Sequence, residues 1–268
     1  MNHVANKNVL VTGGSKGIGL AVANEFARNG HNVILVARHK NELEQAADSI
    51  ENQYAVTVKI IAIDLARQES PQQLFQQLAE ENICVDILIN NAGVGMTGNF
   101  ADNTLADVSR MLQLNMVSLT NLTHLFLQPM LGRQQGHIIN VGSIVACFPG
   151  APNWASYVAS KHYVRAFSRG LARELKNTGV TITLLSPGTT MTDFVETADA
   201  TTMRAYRTPH TVSVEKIAQL AYAGYQKGRF SVIPGMFNRL LAVLGELPPR
   251  VIAFEVFAFL SQKITQAR

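Results

Sequence analysis

The sequence predicts one α/β domain over residues 1–268, built as an open, doubly wound, mostly parallel sheet of seven strands with helices on both faces. Three observations predict it. Short β-branched runs alternate with helical patterns, as they do in chains of βαβ units. Several of those runs are apolar at every position rather than at every second one, which fits strands covered by helices on both sides. The turn after the first run is rich in glycine and opens straight into the first helical pattern.

Asn8-Thr12 reads as the first strand and Gly17-Asn29 as its helix, followed by Gly30 where a C-cap wants a left-handed residue. Asn32-Val36 and Lys40-Asn52 form the second pair, Thr57-Ile63 and Pro71-Asn82 the third. Asp86-Asn90 leads into one long helical pattern, Leu105-Leu131. His137-Val141 precedes Trp154-Lys176, which Gly179 follows, again at a C-cap position. Thr181-Ser186, the helix Val214-Lys227 and the strand Phe230-Ile233 complete the sheet, with Ser213 as N-cap and Glu215 in the first turn. No repeat or linker interrupts this order. After Gly188 the chain reads as additions around a finished sheet, a substrate-side loop over residues 189–212 and an apolar extension over residues 236–268.

A chain of 268 residues that is 47% hydrophobic can bury a sizeable core, and 16% charged residues exclude a solvated, disordered chain. The net charge of +4 is scattered. Its one short run, Arg38-His39-Lys40, is too small for a nucleic-acid surface and the right size for a single phosphate. Cys84 and Cys147 make neither a disulfide framework nor a metal-ligand spacing, so free thiols in a reducing cytoplasm are expected, and no metal site. No secretory signal is read at the amino terminus. The oily stretch Val251-Leu260 is broken by Glu255 and has half the roughly 20 residues of a spanning helix, though it suits contact with a membrane surface.

The glycine turn runs Thr12-Gly13-Gly14-Ser15-Lys16-Gly17-Ile18-Gly19, spaced G-x-x-x-G-x-G. A pyrophosphate needs backbone N–H groups at a helix amino terminus with no Cβ in its way, and Gly13, Gly17 and Gly19 allow that. Such a turn elsewhere is often only a loop. Here it opens the first helix of a βαβ unit, which points to a dinucleotide. No acid stands at the end of the second strand to hold a ribose 2′-hydroxyl. Arg38 stands there instead, able to fork onto a 2′-phosphate with Lys16 adding a second charge, so the cofactor is read as NADP(H). The competing reading of Arg38, His39 and Lys40 is a solvated helix start.

Tyr157 and Lys161 are four apart in a helical pattern and share a face. An isolated pair of this kind is often a bland surface pair. Chemically, a phenol becomes a useful acid–base group at neutral pH when an ammonium beside it stabilises its anion. Ser143 follows the fifth strand at the sheet edge where ligands bind, and it has no nucleophile elbow around it. Asn115 is a polar residue in an apolar helical pattern and needs a hydrogen-bonding explanation, a satisfied buried amide being the plain one.

Together with Asp64-Leu65 after the third strand, Asn90-Asn91-Ala92-Gly93 after the fourth, Tyr157-Val158-Ala159-Ser160-Lys161, and Pro187-Gly188 followed by Thr192, these residues resemble the short-chain dehydrogenase/reductase family from about Lys7 to Gly235. The resemblance implies a Rossmann-type fold and a catalytic tetrad. Tyr157 would be the general acid or base, Ser143 would polarise the carbonyl, Lys161 would lower the tyrosine pKa and hold the nicotinamide ribose, and Asn115 would bind a water of the proton relay. Gly13, Ser15, Lys16, Gly17, Ile18 and Gly19 would line the cofactor. So would Asp64, as acceptor for the adenine amino group, Leu65, and the backbone of Asn91, Ala92 and Gly93. Pro187, Gly188, Thr190 and Thr192 would close the nicotinamide end, with Thr190 standing where the family often has valine.

Cys147, Phe148, Trp154, Met191, Phe194, Met203 and Tyr206 flank that end and favour a hydrophobic ketone, aldehyde or acyl chain, although residues of this type also serve as packing. The extension after Met236 reads as a lid or core cover, a dimer surface, or a helix on a membrane surface. It resembles the extended ends of a broad-specificity branch of the family, which implies no single substrate, and the family resemblance further implies a homodimer or homotetramer formed through Leu105-Leu131 and Trp154-Lys176. The function expected is an NADP(H)-dependent interconversion of a carbonyl and an alcohol. Its rivals are a 3-oxoacyl or hydroxysteroid-type dehydrogenase and a non-catalytic NADP-sensing scaffold.

Overall fold

Val9, Leu10 and Val11 are completely buried, because helices cover both faces of their strand. Alternate residues serve opposite layers. Val9 and Val11 pack with Phe26 and Tyr222 on one side, while Leu10 packs with Leu74, Leu122 and Phe126 on the other. The computed structural model describes residues 6–188, 211–246 and 255.

The strands are β1 (Asn8–Thr12), β2 (Asn32–Ala37), β3 (Val58–Ala62), β4 (Ile87–Asn90), β5 (Gly136–Val141), β6 (Val180–Leu185) and β7 (Ser231–Val232). They form one sheet in the order β3-β2-β1-β4-β5-β6-β7, and every pairing is parallel. The helices are α1 (Gly17–Arg28), α2 (Lys40–Gln53), α3 (Ser70–Glu80), α4 (Leu105–Leu112), α5 (Leu119–Gly132), α6 (Ala155–Glu174), α7 (Val214–Gln226) and α8 (Met236–Glu246). The predicted strands and helices are present with shifted ends. Gly30 takes the expected left-handed φ of +82° directly after the C-cap Asn29, whereas Gly179 does so four residues beyond the C-cap Leu175. Ser213 caps α7 by accepting from Lys216 N at 3.3 Å.

The expected single helix Leu105-Leu131 is divided. A π-helical turn, Gln113–Ser118, separates α4 from α5, and Asn115 sits within it. Turns of this width carry one extra residue, which shifts the helical register and so cannot be heard in a 3.6-residue pattern. Of the expected apolar extension, α8 is described. Asn238, Ala242 and Gly245 are buried, while Met236, Leu240, Val243 and Leu244 are exposed. Residues 247–254 and 256–268 lie outside the described residues, and among the described ones no helix is long and apolar enough to cross a membrane.

The winding of the sheet reverses between β1 and β4, leaving a crevice at their carboxyl ends. One buried hydroxyl fixes it. Thr12 Oγ1 accepts from the backbone N–H of Asn91 and of Ala92, both at 2.9 Å, and donates to Ile89 O at 3.2 Å. Asn91 Nδ2 returns the tie by donating to Thr12 O (2.9 Å) and Gly13 O (3.1 Å). Thr12→Val keeps the shape and removes the acceptor of two N–H groups, so urea unfolding should show a loss of about 2 kcal/mol or more. A change within a few tenths of a kcal/mol would mean that water replaces the hydroxyl there.

Candidate active site

The crevice has a volume of about 250 Å³ and gathers residues from every strand end between β1 and β6. Gly13, Ser15, Lys16, Gly17 and Ile18 line it from the first loop, and Arg38 lines it from the end of β2. Asp64 and Leu65 follow β3, and Asn91, Ala92 and Gly93 follow β4. Ser143, Tyr157, Lys161, Pro187 and Gly188 close the far end. Gly19 and Asn115 lie behind its walls. A Cβ on Gly19 would overlap Gly13 O, and one on Gly13, whose φ is +64°, would fall 2.9 Å from Asn91 Nδ2. The loop therefore closes against β4 only with glycine at both positions, leaving its backbone open to the crevice. Thr190 and Thr192 lie outside the described residues.

At the Arg38 end the groups are charged and half exposed. Asp64 Oδ2 accepts from Arg110 Nη2 at 2.7 Å, and Asp64 Oδ1 accepts from Ala66 N at 3.0 Å. Partial burial opposes ionisation of Asp64, but the Arg110 hydrogen bond, the Ala66 N–H and the charges of Arg110 and Arg38 outweigh it and hold the carboxyl below its ordinary value. Arg110 and Glu42 also line this end and escape sequence reasoning, since only the fold brings α4 beside β3 and α2 beside the glycine loop. Glu42 Oε2 accepts from Ser15 Oγ at 3.0 Å, and its Oε1 lies 3.9 Å from Lys16 Nζ.

At the other end Lys161 is buried, 6% exposed, with Nζ donating to Val141 O at 3.1 Å and lying 5.9 Å from the centre of the Tyr157 ring. Burial lowers its pKa from the ordinary 10.5 to about 8. Both ends of the Asn115 amide are engaged, with one lone pair of the oxygen left over. Oδ1 accepts from Val94 N at 2.9 Å, while Nδ2 donates to Val94 O at 3.0 Å and to Ser160 Oγ at 3.2 Å. Ser160 Oγ in turn donates to Tyr157 O at 2.7 Å, so the amide is linked to the turn of α6 that carries the tyrosine. Ser143 Oγ accepts from Val145 N at 3.3 Å, capping a short 3₁₀ turn, Ile144–Cys147.

A second cavity, also about 250 Å³, is lined by Met96, Phe100, Asn103 and Trp154 among others. Trp154 lies 5.7 Å from Tyr157, ring centre to ring centre. Cys147 and Phe148, expected to flank the substrate, line neither cavity. They pack with Ala242 beneath α8, so here the packing alternative holds. Met191, Phe194, Met203 and Tyr206 lie outside the described residues.

Comparison with known proteins places this geometry. The profile of the family described as short chain dehydrogenase matches residues 7–202. An uncharacterized oxidoreductase of Bacillus subtilis is 34% identical over 196 residues, 73% of this chain and 72% of that protein. The human 17-beta-hydroxysteroid dehydrogenase type 3 is 35% identical over 195 residues, 70% of this chain and 61% of that protein. Among solved structures, a short-chain dehydrogenase from Sphingobium yanoikuyae in complex with NADPH superposes with a TM-score of 0.80 at 31% identity, covering 89% of this chain and 92% of that one.

The buried lysine gives a signature in stability. Folded, Lys161 releases its proton near pH 8, whereas the unfolded chain holds it to about 10.5. Between those values unfolding takes up a proton, so this group makes stability rise with pH. Thermal midpoints measured from pH 7 to 10 should therefore climb in the wild type relative to Lys161→Met. A constant difference between the two would mean that the lysine titrates at its ordinary value.

Proposed function

The chain belongs to the short-chain dehydrogenase family, and we propose that it is an NADP(H)-dependent oxidoreductase interconverting a carbonyl and a secondary alcohol on a hydrophobic small molecule. One observation carries the reading. A phenol and a buried amine, on Tyr157 and Lys161, share a crevice with an open glycine loop and with Arg38. The crevice suits a dinucleotide, because Cβ-free backbone faces it at the helix amino terminus and cations stand beyond. The loop from Gly13 to Gly19 would hold the pyrophosphate, Arg38 and Lys16 the 2′-phosphate, and Lys161 the ribose beside the nicotinamide. When bound, the nicotinamide supplies or accepts the hydride.

The chain's own task is then alignment and proton delivery. During reduction Tyr157 gives its phenolic proton to the carbonyl oxygen, and Ser143 donates a hydrogen bond to that same oxygen. The charged form of Lys161 makes the resulting phenolate less costly, and its bond to Val141 O keeps the amine in place. Both hydrogens of Asn115 Nδ2 are committed, leaving a lone pair on Oδ1 for a relay water. Asn115 thus acts chiefly by setting the positions of Val94 and, through Ser160, of Tyr157. While Asn99, Asn103, Asn153 and Ser156 line part of the second cavity with polar groups, Trp154 against Tyr157, with Met96 and Phe100 on the same cavity, supports a hydrophobic substrate. So does the relationship to a hydroxysteroid dehydrogenase, and the NADPH held by the Sphingobium protein supports the cofactor.

NADPH oxidation against aromatic ketones, quinones, steroids and 3-oxoacyl thioesters, with NADH in parallel, tests this reading. Tyr157→Phe should lower kcat by about 10²–10⁴-fold while NADPH still binds. Unchanged turnover would remove the tyrosine from the chemistry, and silence on every substrate with tight NADPH binding would favour a sensor. Arg38→Asp should raise KM for NADPH far more than for NADH, and equal effects would defeat the assignment of the 2′-phosphate.

A further inference from the structure

Glu42 stands in the first turn of α2, where a helix amino terminus favours a carboxylate on general grounds. Its side chain does something more specific. It crosses to the glycine loop, takes the hydroxyl hydrogen of Ser15 at 3.0 Å and sits 3.9 Å from the ammonium of Lys16. Ser15, Lys16 and Glu42 all line the crevice at the end that also carries Arg38. The Ser15 hydroxyl and Lys16, one of the cations lining that end beside Arg38 and Arg110, are thus already engaged by an anion belonging to the chain.

We infer that Glu42 is a specificity-determining residue, an internal carboxylate that competes with a nucleotide 2′-phosphate for Ser15 and Lys16 and so restrains the preference for the phosphorylated cofactor. This rests on the NADP(H) reading given above. Glu42 and Lys16 are 39% and 54% exposed, so their pair is weak enough for a ligand to replace. A phosphate dianion entering there meets Arg38 and Lys16 together with the like charge of Glu42, while Arg110 and Asp64 at the same end pair with each other, and it must displace the Glu42 carboxylate from the donors they share. A nucleotide with a free 2′-hydroxyl leaves the contact intact. Glu42 therefore taxes one ligand and spares the other.

Titration calorimetry with 2′,5′-ADP and 5′-AMP reads this end of the crevice alone, without turnover. Glu42→Gln keeps an acceptor for Ser15 and removes the charge. It should tighten 2′,5′-ADP on the order of fivefold, the size expected for one charge at close range in water, and leave 5′-AMP unchanged. The gain should shrink as salt is raised, because exposed charges are screened. Glu42→Ala, which removes the acceptor as well, should move the two ligands in the same directions. If the wild type prefers 2′,5′-ADP and both variants bind it no better, or bind both ligands worse, Glu42 merely holds the loop and the inference fails while the NADP(H) reading stands. If wild type and variants alike bind the two ligands equally, both fail together.

Discussion

The arrangement depends first on the hydroxyl of Thr12. It sits where the winding of the sheet changes direction and fills its hydrogen-bonding capacity with three backbone groups of the neighbouring strand end. The ends of β1 and β4 are thereby held at one height, and the glycine loop faces Asn91 to Gly93 across the crevice. A buried polar chain carries the constraint onward. Asn90 Nδ2 donates to Thr123 Oγ1 on α5 and to Asn140 Oδ1 on β5, both at 2.9 Å, Asn140 Nδ2 donates to Ser168 Oγ on α6 at 3.0 Å, and Ser168 Oγ donates to Val164 O at 2.7 Å. Buried polar groups tolerate little slippage, because a lost partner leaves a desolvated dipole. The pose of α6 on the sheet, and with it that of Tyr157 and Lys161, is set from within the core.

The two ends of the crevice obey different electrostatics. Around Arg38, Lys16, Glu42 and Asp64 the charges are exposed to water, their pairs are weak, and ligands can exchange with them. At the other end Lys161 is buried, and that burial lowers the pKa of its amine to about 8. In the proposed function, recognition of anionic groups would fall to the first environment and proton handling to the second.

What the sequence made legible was local. The strands, the glycine turn and the Tyr157-Lys161 spacing are written in neighbouring residues and kept their places in the fold. Asn115 stands out in the sequence as a polar residue in an apolar pattern, yet its partners Val94 and Ser160 are 21 and 45 positions away and no spacing announces them. Arg110 reaches Asp64 across 46 residues for the same reason. Glu42 reads as an ordinary helix-start acid until α2 is laid beside the loop. Cys147 and Phe148 follow Ser143 by four and five residues, but the 3₁₀ turn between directs them under α8 rather than toward a cavity. Thr190 and Thr192 lie outside the described residues.

The wide turn at Gln113–Ser118 bears on how this site could be moved to another protein. A residue added to a helix rotates everything after it by about 100°. Copying Asn115 alone onto a regular helix of a different scaffold would therefore aim the amide away from the loop it must grip. The portable unit is the whole turn with its surplus residue, so a graft must change the length of the host helix as well as its composition.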